Sequence, residues 1–396
     1  MQEPFSVNNH KISARQIHRT LTLELLGIST LLLPSLLAST CGVDGIFALA
    51  VGGAGAVVLL MFWSRRYQKD GFQERLRSIN PVIGTVLRIF YGAGFAGIAG
   101  YVLYLMAGLI EEQLLGRQKE TVIVVTLSLI AFFGLLRGME CRVRVYEVLY
   151  WFLLIPLLII LGIACVGTDM TAWTPVLATD TGAFLKSCYL SFLFFSGTSL
   201  YICFLSACQE PEAAYRGTRR SLYLLIGCNL AVYLILLGVF QRELLAHRRW
   251  PVIDLMAVVK LPGNFLERQD ALMIGIWFFC LFAFLESMLY YAVDFLSEAV
   301  GVGSENGKQE LAGEDMEKKE QTAASHTKAR NRQGKKRMIM TGILVGIVSG
   351  IACLLLGCEH AAETMFYGYM YGVLPMMLLI PVLYGGACKK NSGKEI

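Results

Sequence analysis

Glu24-Leu-Leu-Gly-Ile-Ser-Thr-Leu-Leu-Leu-Pro34 forms the middle of the first apolar segment. A straight membrane helix has no need of Gly27, Ser29, Thr30 and Pro34 packed so close together. Pro34 has no backbone N–H to give the carbonyl of Thr30, and its ring crowds that carbonyl. Gly27 lacks the side chain that would hold the preceding turn in helical shape. Lipid cannot satisfy a freed backbone group, so irregular backbone at membrane depth survives only inside protein or beside a polar cavity. The stretch therefore predicts a helix that comes apart midway at Gly27, Ile28, Ser29 and Thr30. A similar stretch, Phe195-Ser-Gly-Thr-Ser-Leu-Tyr201, lies in the sixth apolar segment and predicts a second break. Interrupted helices at matching places in two halves of a chain point to a transporter-type site near the bilayer midplane.

The rest of the chain supplies the frame for those two stretches. Of its 396 residues only 16% are charged and 55% are hydrophobic, with a mean hydropathy of +0.56. Soluble domains carry roughly 25% charge, and apolar runs of about 20 residues recur here, so the chain reads as a polytopic helical membrane protein. Spans are expected near 17–39, 45–63, 82–111, 120–136, 143–166, 183–208, 219–240, 267–297, 338–357 and 365–387. The expected organisation has a tail at 1–16, helices one to eight at 17–297, and a charged loop at 298–337 read as disordered. Helices nine and ten follow at 338–387, with a tail at 388–396. With the N-terminus inside, the inner segments hold 26 Lys and Arg against 7 outside. That excess places both termini in the cytoplasm. The net charge of +5 thus reports sidedness rather than nucleic-acid binding. Residues 1–19 are polar and run straight into a full-length span, so no cleavable signal is expected.

Further candidate residues lie in spans three, six and eight. Gly92, Ala96 and Gly100 form a smooth face for close helix contact. One turn on, Tyr101, Val102 and Tyr104 could line a cavity or fill the core, and the residues alone leave both readings open. In span six, Ser196, Gly197, Thr198 and Leu200 sit about 15 Å into the helix, near the midplane. In span eight, Glu286, Ser287, Tyr290, Tyr291 and Asp294 share one helical face. Carboxyl groups as deep as Glu24 and Glu286 are expensive in lipid. They fit a cation or proton site, a partner for a substrate ammonium, or a protonated acid hydrogen-bonded to neighbouring helices. No P-loop, dinucleotide turn or H-E-x-x-H motif occurs, so neither an enzyme nor an ATP-driven pump is expected. The eleven cysteines carry no C-x-x-C pair and read as small buried hydrophobes, with no metal or cofactor implied.

Lys11-Ile-Ser-Ala-Arg-Gln16, Gly27-Ile-Ser-Thr-Leu-Leu-Leu-Pro-Ser35 and Asp44 resemble the opening of the endospore germination permeases. Glu147-Val-Leu-Tyr-Trp-Phe-Leu-Leu-Ile-Pro156 and Glu267-Arg-Gln-Asp-Ala-Leu-Met-Ile-Gly-Ile-Trp277 look like that family's fifth-span and eighth-span signatures. These are the B subunits of spore germinant receptors, within the amino acid–polyamine–organocation superfamily. The resemblance implies an all-α membrane protein with ten helices in a 5+5 inverted repeat of the LeuT type, helices one and six being broken. It implies a sensor in the spore inner membrane that binds a small nutrient such as an amino acid. Its implied partners are an A-type membrane subunit and a C-type lipoprotein. By that analogy Gly27–Thr30, the face near Val102, the sixth-span break and the Ser287 region form the germinant pocket. A proton- or sodium-coupled amino acid transporter using Glu24 or Glu286 is the other reading. A structural subunit with a vestigial site is a third.

Overall fold

The computed structural model describes residues 13–67, 72–78, 80–116, 119–137, 139–200, 211–258, 269–301 and 316–384. Thirteen helices run through them, and the described residues of the expected spans are helical. They are α1 (Ala14–Cys41), α2 (Gly45–Arg66), α3 (Phe72–Ser78), α4 (Pro81–Ile110), α5 (Glu120–Leu136), α6 (Met139–Val166) and α7 (Thr181–Ser196). After them come α8 (Pro211–His247), α9 (Pro251–Val258), α10 (Gln269–Ala299), α11 (Met316–Leu356), α12 (Glu359–Gly368) and α13 (Leu374–Tyr384). Seven helical stretches are long and apolar enough to cross a membrane, the first of them Ala14–Arg66, and the shorter apolar α5 adds to these. The protein is an integral membrane protein.

The chain divides into two compact units. The first comprises 1–72, 139–284 and 374–396; the second comprises 73–138 and 285–373. α10 gives its first half to one unit and its second half to the other.

In the first unit α1 is the central element, packed on α6, α7, α8 and α9. It starts at a capping box: Ser13 Oγ accepts the Gln16 N–H, and the Gln16 side chain accepts the Ser13 N–H. That arrangement satisfies two of the helix's orphan donors. Nearby, Glu147 of α6 pairs with both Arg15 and Arg19, and the Arg19 guanidinium lies over the rings of Tyr150 and Trp151. His18 Nδ1 is 3.1 Å from the Ser221 hydroxyl of α8. At the other end, the buried Asp44 carboxylate accepts the backbone N–H groups of Leu177 and Thr179. That fixes the segment between α6 and α7, where Trp173 Nε1 donates to the Leu234 carbonyl at 3.1 Å. Backbone and hydroxyl hydrogen bonds from Thr171 hold the exposed Asp169 carboxyl below its usual range. The short helix α9 after α8 buries Pro251, Val252, Ile253, Leu255 and Met256.

The second unit is built on α4, which packs against α5 and α11. Tyr91, Phe95, Tyr291 and Phe295 make an aromatic cluster with ring centroids 5.3–6.2 Å apart. At one end of α10, Glu298 meets Arg77 at 2.6 Å and the buried Arg88 at 3.4 Å. Asp294, one turn earlier, accepts from Gln73 at 2.8 Å and Arg337 at 3.3 Å.

One expectation about the loop 298–337 is overturned: from Met316 onward it is helix, continuous with the apolar stretch to Leu356. The segment is rich in Ala, Glu, Lys, Arg and Gln, all good helix formers. Extending an existing helix also avoids the cost of nucleating a new one.

Candidate functional site

The first expected break is absent. α1 is α-helical from Ala14 to Cys41 with Pro34 inside it. The hydroxyls explain why Ser29 and Thr30 do not interrupt it. Ser29 Oγ donates to the Leu26 carbonyl at 3.3 Å, and Thr30 Oγ1 donates to the same carbonyl at 2.6 Å. Such back-bonding belongs to an intact helix. Gly27 serves close contact rather than distortion, because a methyl group there would overlap Cys280 Cβ of α10. The same hydroxyls also fasten α1 to its neighbours. Asn229 Nδ2 of α8 donates to Ser29 Oγ at 3.0 Å, and Trp277 Nε1 of α10 donates to Thr30 Oγ1 at 3.0 Å. Buried polar groups inside a membrane bundle act as such inter-helix links. Ile28 and Glu24 are buried on the same helix.

At the second expected break the helix changes form. α7 ends at Ser196, and Gly197–Leu200 continues as a tighter 3-10 turn. Gly197 lies against α1: a Cβ there would sit 2.9 Å from Leu25 Cδ2. The Ser196 hydroxyl donates to Leu193 O and the Thr198 hydroxyl to Phe195 O, each at 2.8 Å. Both are therefore spent on the helix end. Ser199 is different: its hydroxyl is buried and has no hydrogen-bond partner among the described residues. Leaving a buried hydroxyl without a partner costs about 1–3 kcal/mol, a state Ser199 shares with Ser191 earlier on α7. The Leu200 side chain and residues 201–210 lie outside the described residues.

The remaining expected residues belong to the second unit. Tyr101 joins an aromatic group with Tyr104 and Phe366, each ring 5.7 Å away, which fits the core reading of these tyrosines. Val102 and Ser287 are buried. Glu286 is buried too, and its carboxylate lies directly over Gly134 of α5, in space that any side chain would fill.

Sequence reasoning missed Asn229 and Trp277 as partners of the first stretch. An asparagine in the seventh apolar segment was a visible signal, since polar side chains in membrane helices usually bond across helices. Nothing in the sequence said that it meets Ser29.

Helices packed around a central α1, with α7 passing into a 3-10 turn at Gly197, fit a membrane protein of the LeuT-type fold. Solved structures agree on the fold. A Na+-coupled sialic acid symporter in its substrate-bound outward-open state superposes with a TM-score of 0.63 at 11% identity, over 93% of this chain and 79% of that one. Mhp1, a nucleobase-cation-symport-1 family transporter, gives a TM-score of 0.58 at 12% identity, over 93% and 82%. Within that class the chain belongs to the spore germination protein family of spore permeases, whose model matches residues 11–305. It is similar to spore germination protein YndE of Bacillus subtilis (strain 168), 22% identical over 76% of this chain and 83% of the relative. Spore germination protein A2 of the same organism is also 22% identical, over 71% and 78%.

Proposed function

We propose that this protein is the B subunit of a spore germinant receptor that binds a small nutrient, such as an amino acid, beside the break in α7. In this reading the chain crosses the spore inner membrane ten times in a 5+5 repeat, with both termini in the cytoplasm. The observation that carries the site is the buried Ser199 hydroxyl at the 3-10 turn next to α1. Family membership supports the receptor role. Gly197 and Thr198 shape the turn, while Ser29 and Thr30 hold α1 in place through Asn229 and Trp277. Within the second unit, the buried Val102 and Ser287 are proposed as separate candidate contact positions. Glu24 and Glu286 are proposed as proton or cation sites. A nutrient that binds one conformation better than another shifts the balance between them. That shift is passed to an A-type membrane subunit and a C-type lipoprotein.

A coupled carrier is the alternative, favoured by the fold shared with a Na+-coupled symporter. Proteoliposome uptake separates the two. The receptor reading expects labelled amino acids to bind saturably, with no accumulation when a proton or sodium gradient is imposed. Spores lacking the subunit should lose germination to one set of nutrients. Gradient-driven accumulation together with normal germination of those spores would replace the receptor by a carrier.

A further inference from the structure

We propose that the basic start of α11 is a docking surface for anionic phospholipid headgroups. The family match ends at residue 305, so this segment lies outside what the family assigns. Between Lys328 and Arg337, six of ten residues are Lys or Arg and none is acidic. They run directly into the apolar stretch of the same unbroken helix, whose candidate span is Gly334–Leu356. Ten helical residues rise about 15 Å. The headgroup layer is roughly 5–8 Å thick and the physiological Debye length adds about 8 Å. All six charges therefore lie within electrostatic reach of the bilayer surface.

Their arrangement has a direction. At about 100° per residue, Lys328, Arg332, Lys335 and Lys336 share a sector about 100° wide, while Arg330 and Arg337 lie on the opposite side. Arg337 is spent within the fold, bonded to Asp294 and stacked near the Tyr290 ring. Lys335 and Lys336 are exposed. Sidedness alone needs basic residues near the span but no shared helical face. A stripe of four on one face, beside a membrane span, has the charge and position to hold lipid phosphates. Basic residues at a membrane surface contribute about fivefold each in binding to anionic lipid.

The test uses the full chain in mixed phosphatidylglycerol and phosphatidylcholine bilayers, with spin-labelled forms of each lipid reporting association by electron paramagnetic resonance. The wild type should prefer the phosphatidylglycerol label by about tenfold at low salt, and the preference should fall as salt rises. Replacing Lys328, Arg332, Lys335 and Lys336 together by Gln should bring the ratio close to one. The charge-preserving set Lys328→Arg, Lys335→Arg and Lys336→Arg should retain it. A wild-type ratio near one, or one indifferent to salt, overturns the proposal without recourse to any variant. So does an unchanged ratio in the glutamine variant. Retention of heparin by the wild type, lost in that variant while lipid preference persists, would make the stripe a site for soluble polyanions instead.

Discussion

Glu298→Ala is expected to destabilise the protein by about 3–5 kcal/mol. Glu298 is the ion-pair partner of Arg88, whose side chain is only 10% exposed on α4. Removing it strands a guanidinium in a helix bundle where neither water nor lipid can solvate it well. The Arg88 contact is 3.4 Å and too oblique for a hydrogen bond, whereas Arg77 makes a close one at 2.6 Å. Geometry alone would rank Arg77 as the more important partner. Burial reverses that order, because Arg77 is half exposed and an exposed pair contributes about 0–1 kcal/mol. Thermal unfolding in detergent should show Arg77→Ala close to wild type and Glu298→Ala far below it. Replacing the pair together, as Arg88→Met with Glu298→Leu, should recover most of the loss, since no charge is then left alone. Equal effects of Arg77→Ala and Glu298→Ala would mean that Arg88 is solvated.

The second large effect is expected at Gly27. Gly27→Ala places a methyl group on Cys280 Cβ, where α1 meets α10 within the first unit. A Cβ is fixed to the backbone, so the helices must separate, at a cost of about 1–3 kcal/mol. The hydrogen bonds at Thr30 and Trp277, less than one turn away, would lengthen as a consequence. Cys280→Gly in the same chain removes the obstructing atom. The double variant should lie within about 1 kcal/mol of wild type, the remaining deficit being the weak helix propensity of glycine. A double-mutant cycle measures this directly. If the two losses simply add, Gly27 is not held by Cys280.

Gly27 also shows where the sequence was readable and where it was not. Glycine, serine, threonine and proline within eight residues fit a broken membrane helix and a closely packed one equally well. The deciding facts are the atoms opposite: Cys280, Asn229 and Trp277, which lie 200 or more residues away along the chain. Local composition carries no record of such partners. The α7 break was legible because Ser-Gly-Thr-Ser offers four consecutive residues that favour turns over helix. Which of its hydroxyls is left over was not legible: Ser196 and Thr198 turn back to the helix and Ser199 does not. Helix positions among the described residues were legible because twenty-residue apolar runs have few other fates. The charged start of α11 was misread because its polarity suggested disorder, although its residue types favour helix. Arg88 lies within the expected span 82–111, but its partner Glu298 could be found only by folding.

Ser199→Ala in spores tests the central claim, that a nutrient meets the chain at the 3-10 turn after α7. The substitution removes one oxygen and nothing else, from a site where no described protein group uses it. One hydrogen bond to a ligand is worth about 0.5–1.5 kcal/mol, or roughly two- to tenfold in affinity. The nutrient concentration for half-maximal germination should rise by that factor, with unchanged protein level and unchanged maximal response. An identical dose–response curve in the variant would place the nutrient elsewhere.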